Sequence, residues 1–147
     1  MPDQLFADLP RDELSQGDLF DDIPHAELLG DRRIDGRFWL VVLSHDCEID
    51  KPATTIVLCV RARILTDLDA GRAGDLRAGR VLNAMHLPAV SSFPEGYVDF
   101  RFIYRVPKID LEHAIADGQR VASMSDDGRT ALVTYLFRYF ARQGPNV

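Results

Sequence analysis

Every side chain from Phe38 to Leu43 is apolar, and the run is rich in β-branched and aromatic residues. A run this short, entered through Asp35-Gly36-Arg37, predicts a strand buried on both faces and central to a sheet. Asp50-Lys51-Pro52-Ala53 then supplies a turn. Thr54 to Leu65 returns as a second strand, with Arg61 and Arg63 alternating with Val60, Ala62 and Ile64. These two runs are expected to be antiparallel neighbours. Upstream, Gly17-Asp18 opens a first strand that Pro24 ends. Downstream, Gly71, Gly74 and Gly79 weaken any helix, so Thr66 to Gly79 is expected to be irregular.

Arg80 to Leu87 reads as a strand stopped by Pro88, and Tyr97 to Val106 as another, closed by Pro107. Strict alternation in the latter puts Val98, Phe100, Phe102 and Tyr104 on one face and Asp99, Arg101, Ile103 and Arg105 on the other. Asp110 caps a short helix from Leu111 to Asp117, and Arg120 to Met124 forms a last strand. The closing helix has Ser125 as N-cap, Asp126 and Asp127 in its first turn and Gly144-Pro145 beyond its end. Leu132, Leu136, Tyr139 and Phe140, joined by Val133 and Phe137, make its apolar stripe. The pattern is therefore mainly β, of the α+β class, with a short helix and a C-terminal amphipathic one.

The first stretch contains an echo, Leu5-Phe6-Ala7-Asp8-Leu9-Pro10 returning as Leu19-Phe20-Asp21-Asp22-Ile23-Pro24. Two short copies are too few for a repeat architecture. Residues 1–16 are set apart as an acidic arm, and 17–147 as a single domain. The chain has 147 residues, 46% of them hydrophobic and 27% charged, an ordinary composition for one core without disulfide or metal staples. No apolar run approaches the ~20 residues that cross a bilayer. The acidic start lacks the basic residues of a secretory signal, so a cytoplasmic protein with reduced Cys47 and Cys59 is expected. The net charge of −6 is concentrated before residue 36, where ten acidic side chains face three arginines. The body that follows is near neutral and draws its positive charge almost wholly from arginine, whose planar fork suits phosphate.

One stretch is chemically loaded: Ser44-His45-Asp46-Cys47-Glu48. Adjacent strand residues point to opposite faces, which excludes a Ser-His-Asp triad here. His45 and Cys47 share a face and could pair as nucleophile and base, or as metal ligands with Cys59, His86 or His25. Equally, His45 could bond backbone at a strand end, with both cysteines packed as small hydrophobes. Asp46 and Glu48 are either an acid-base pair or caps for backbone amides. No ligand spacing matches a zinc site, so no metal or other cofactor is expected. A second cluster, Tyr97, Asp99, Arg101 and Arg105, near Arg61 and Arg63, makes either a phosphate-holding groove or a salt-bridge ladder.

The order Gly17-Asp18-Leu19-Phe20, then Gly36-Arg37 leading into Val41-Val42-Leu43-Ser44, then a strand over Ile56 to Val60, resembles the start of MazF/PemK-type toxins. The later strand with Asp99, Arg101 and Ile103, the Val121 to Ser125 stretch and the closing helix follow the same order. The resemblance implies a small SH3-like β-barrel, usually dimeric, that cuts single-stranded RNA without a metal. It gives Arg37 the scissile phosphate, His45 or Asp46 acid-base work, and Arg61, Arg101 and Arg105 substrate binding. Phe38 follows Arg37 where that family has proline, and Arg61 or Ala62 stands where it has threonine, so the implied activity is RNA binding or RNA cleavage. The other reading is a non-enzymatic module that docks a protein partner through the acidic Leu-Phe segments of residues 1–28.

Overall fold

The apolar run around Trp39 forms the middle of a strand whose neighbour is the strand expected from Thr54 onward. In the computed structural model, which describes residues 4–142, Trp39 pairs with Ala62 and Val42 with Cys59, antiparallel. The strands are β1 (Asp18–Leu29), β2 (Arg32–Val42), β3 (Ile56–Ile64), β4 (Ala84–Leu87), β5 (Gly96–Pro107) and β6 (Arg120–Ser123). The helices are α1 (Asp46–Ile49), α2 (Ala70–Arg77), α3 (Lys108–Ala116) and α4 (Asp126–Arg142). One antiparallel sheet runs in the order β4-β5-β3-β2-β1-β6. It is open, with β4 at one end and β6 at the other, and the fold is α+β. No helix among the described residues is long and apolar enough to cross a membrane.

Side-chain alternation along β2 and β3 feeds two cores, one on each face of the sheet. On the first face Val41, Leu43, Val60 and Ala62 meet Met85, Val98 and Phe100, under Leu132 and Leu136 of α4. On the second, Leu40, Val42, Val57 and Cys59 meet Val106, under Leu111 and Ala114 of α3 and Ile49 of α1. A smaller group, Ala73 and Leu76 of α2 against Ala84 and Tyr97, covers the β4–β5 end.

The acidic arm is part of this packing. Phe6 bridges to Met124, and Ala7 N–H donates to the Ser123 carbonyl at 2.8 Å. On its other side β6 pairs with β1, Leu19 opposite Ala122. Both copies of the Leu-Phe echo thus flank the same short strand, and Leu5, Phe6, Leu19 and Phe20 are all buried. The Leu-Phe pairs are core residues, so the groups they would offer a docking partner are not on the surface.

Four local readings are corrected. Pro24 does not end β1 but lies within it, opposite Arg37. Only residues 18–20 of β1 pair with β6, so Pro24 sits on an open edge where its missing N–H costs no ladder bond. The stretch 66–79 holds α2 despite Gly71 and Gly74, because Asp69 caps the Arg72 amide at 2.9 Å and Leu76 is buried. In β5 the strict alternation fails. Val60 pairs with Ile103 but Ala62 with Val98, so β5 carries a bulge over residues 99–102. Val98 and Phe100 therefore enter the core under α4, while Tyr104 packs with the core under α3. Finally, the α4 stripe is narrower than expected: Leu132, Leu136 and Tyr139 pack on the sheet, whereas Phe137 and Phe140 are exposed.

Glu95 ties α2 to the loop before β5. It accepts Arg77 Nε at 3.0 Å and Nη2 at 2.7 Å, and lies 2.7 Å from His86 Nε2. The bonds from Arg77 and His86 hold its carboxyl at about 2. A carboxyl lowered on folding stabilises the folded state above its unfolded value near 4.5 and loses that contribution as pH falls toward about 2. Urea unfolding across this window should show a smaller acid-dependent loss in Glu95→Gln than in the parent chain. Superimposable acid profiles would contradict that role.

Candidate nucleic-acid interface

Between the areas covered by α3 and α2, six side chains of the second face stand half-buried: His25, Phe38, Arg61, Arg63, Phe102 and Tyr104. Four are rings and two are arginines. Arg61 Cζ lies 3.9 Å from the Phe38 ring centroid. The His25 and Tyr104 rings stack at 4.1 Å and 31°, with Phe38 6.4 Å from Tyr104. Across the bulge, Arg63 and Arg101 stand 5.0 and 5.7 Å from the Phe102 ring.

The local sequence explains the first of these groups. His25 faces Gly36 across the β1–β2 ladder, and the Phe38 ring lies over that glycine. A Cβ at residue 36 would stand 2.6 Å from Phe38 Cζ, so a larger residue would push the ring aside. Arg61 belongs to this face because it follows Val57 and Cys59 at the strand period of two. Arginine lying over a ring gains about 0.5–1 kcal/mol at partly exposed sites and is thereby held flat.

The bulge brings Arg101 to the edge of this surface. Its Nε and Nη2 donate to Asp99 at 3.0 and 2.7 Å, and its backbone N–H donates at 3.0 Å. Asn83 Nδ2 adds a bond at 3.2 Å. Burial pushes the Asp99 carboxyl up, but these bonds outweigh it and keep the group below its usual range.

The residues singled out in the sequence fall into separate sets. Arg61 and Arg101 flank the ring-and-cation surface. Arg105 pairs with Leu58 and alternates with Tyr104, so it is exposed on the opposite face. Arg37 donates to Asp22 Oδ1 at 2.6 Å and to the Asp22 carbonyl at 3.0 Å. His45 caps α1: its Nδ1 accepts the Cys47 N–H at 3.1 Å. In the neutral ring the proton is then on Nε2, so the nitrogen left facing outward is a donor rather than a base. Asp46 is engaged at both oxygens, by Gln16 N–H at 2.7 Å and Arg129 Nη1 at 2.6 Å. Arg37, His45 and Arg101 are thus bonded into three different settings and do not form one centre.

Cys59 is buried, which pushes its thiol well up, whereas Cys47 is exposed. His86 is taken by Glu95. Among the described residues no three His, Cys, Asp or Glu side chains are grouped to hold a metal. Sequence reading passed over Phe38 and Phe102 as core and strand filling. The available signal was Gly36 two residues before Phe38, and the arginines set around Phe102. Comparison with protein-family models gives no match for this chain, and comparison with curated proteins gives none either.

Proposed function

We propose that this protein binds single-stranded RNA on the half-buried sheet face and does not cut it. The observation that carries the reading is the set of arginines laid against rings: Arg61 on Phe38, and Arg63 and Arg101 about Phe102. Stacked rings and guanidinium planes accept unpaired bases whatever their sequence, and the Arg63 guanidinium takes a phosphate, the Arg101 fork being held by Asp99. The excess of acidic over basic residues lies before residue 36, and the rest of the chain is near neutral.

The reading keeps the RNA half of the MazF/PemK likeness, with its SH3-like curl and a cytoplasmic setting, and leaves out the scissile chemistry. Arg37 is neutralised by Asp22, His45 Nδ1 is occupied, and both Asp46 oxygens are engaged. None is placed as a free general base.

Fluorescence anisotropy with a labelled pool of single-stranded RNA at low salt tests this. Binding is expected to weaken in Phe102→Ala by the ~1–3 kcal/mol that one stacked base is worth. In Arg63→Gln the slope of log affinity against log salt should fall by about 0.7. The RNA should remain full length on a denaturing gel. Absence of binding at low salt would end the proposal, and cut RNA would end its non-cleaving half.

A further inference from the structure

Phe137 and Phe140 of α4 keep 70 and 52% of their surface exposed, while the helix reaches the core through Leu132, Leu136 and Tyr139. The two rings are therefore not needed for packing. From Gly128 onward α4 carries Arg129, Arg138 and Arg142 and no acidic residue, so Phe140 lies two residues from an arginine on either side. Ring beside guanidinium is also the pattern of the sheet face. Arg138 repeats it on the helix, 4.5 Å from the Tyr135 ring centroid.

This end of α4 connects with the stacking surface around the edge of the sheet. β4 covers β5 only as far as Asp99, with one further bond from Phe100 N–H to the Asn83 carbonyl. Past that point, among the described residues, no strand lies outside β5. Arg101 occupies the open edge, its side chain 55% exposed. It stands 5.7 Å from the Phe102 ring and interacts electrostatically with the Tyr139 hydroxyl of α4. Tyr139 in turn meets Phe140 edge-on, with 5.2 Å between the ring centroids. The series Phe102, Arg101, Tyr139, Phe140 is thus continuous from the sheet face to the helix. Resting on the RNA reading above, we infer that the bound strand leaves the sheet face over Arg101, and that Phe140, with Phe137 one turn before it, stacks its outgoing bases. Rings interleaved with arginines suit bases joined by phosphates, and an unpaired strand is flexible enough to turn around a sheet edge.

Labelled oligouridylates of four and twelve nucleotides separate the helix from the sheet face. A tetramer is accommodated by the sheet face alone, whereas a dodecamer is long enough to reach α4. Phe140→Ala, alone and joined to Phe137→Ala, should weaken dodecamer binding at least about fivefold, the lower end of what one stacked base contributes, and leave tetramer affinity unchanged. The statistical advantage of a longer strand is the same in parent and variant, so their ratio isolates the contact. Phe102→Ala should weaken both lengths. Both α4 side chains are exposed, and unchanged urea midpoints confirm that the variants fold as the parent does. Equal losses on the two lengths, or no loss on the dodecamer, would overturn the inference and leave RNA binding on the sheet face standing. So would sedimentation, without RNA, of a parent dimer that the double variant dissolves, since the rings would then belong to an interface with a second copy. No binding of either oligonucleotide by the parent chain at low salt would overturn both readings.

Discussion

Removal of residues 1–16 is expected to unfold the chain rather than free a surface. Leu5, Phe6 and Leu14 are 3, 6 and 7% exposed, and each fully buried side chain of this size contributes about 1.5–3 kcal/mol. Together they amount to roughly 5–9 kcal/mol, comparable with the ~5–15 kcal/mol that separates folded from unfolded domains. Polar contacts point the same way. Ser125 N–H donates to the Leu5 carbonyl at 2.9 Å, and the Ser125 hydroxyl to the Gln4 carbonyl at 2.7 Å, so the segment is fixed to the start of α4. The fit there is close enough that a Cβ on Gly128 would stand 2.1 Å from the Leu5 oxygen. Circular dichroism of the 17–147 fragment should show lost or strongly weakened cooperative unfolding in urea. A transition at the parent midpoint would show that the segment is an appendage, and would restore the reading of it as a docking arm.

That reading came from charge and from a repeated phrase, both local features. What decides the matter is non-local: each copy finds β6 more than a hundred residues later in the chain. The same division runs through the fold. The Phe38–Leu43 run, its pairing with β3 and the Ser125 cap were legible because periodicity and capping act over a few residues. α2 was not, since Gly71 and Gly74 argue against it, and the Asp69 cap outweighs them only together with the seat of the helix on Tyr97 and Ala84. The β5 bulge was not, because alternation carries no register and one shifted stretch reverses every later side chain. The bulge also decides the candidate site, since it sets Arg101 and Phe102 beside Arg63. Arg61 and Arg101 could be read as phosphate groups from their type. Phe38 could not be read as a stacking ring, because its half-buried position depends on where α3 stops.

Arg120→Ala should cost about 3–5 kcal/mol near neutral pH, the usual consequence of stranding a buried charge. Asp18 is fully buried and the Arg120 side chain is 9% exposed, at 3.1 Å. Arg120 also donates to the Arg11 and Glu13 carbonyls, so one side chain neutralises Asp18 and secures the N-terminal segment. Ser123 Oγ at 2.6 Å and Ser15 N–H at 2.9 Å complete the carboxylate's contacts. Burial raises the Asp18 carboxyl above its ordinary value, and the bonds from Ser123, Ser15 and Arg120 only partly offset it. A carboxyl raised on folding contributes stability below its unfolded value, near 3.8, and that contribution is lost as pH rises through the folded value. Without Arg120 the folded value climbs further, so the variant's deficit should shrink on acidification, as Asp18 takes up a proton and no longer needs a cation. The double variant Asp18→Asn, Arg120→Ala should for the same reason be more stable than Arg120→Ala alone near neutral pH, with a coupling above about 1 kcal/mol in the mutant cycle. Urea midpoints measured at neutral and mildly acidic pH decide it: a deficit independent of pH, with additive single variants, would mean that Arg120 acts through its packing and its carbonyl bonds, and that Asp18 does not depend on its charge.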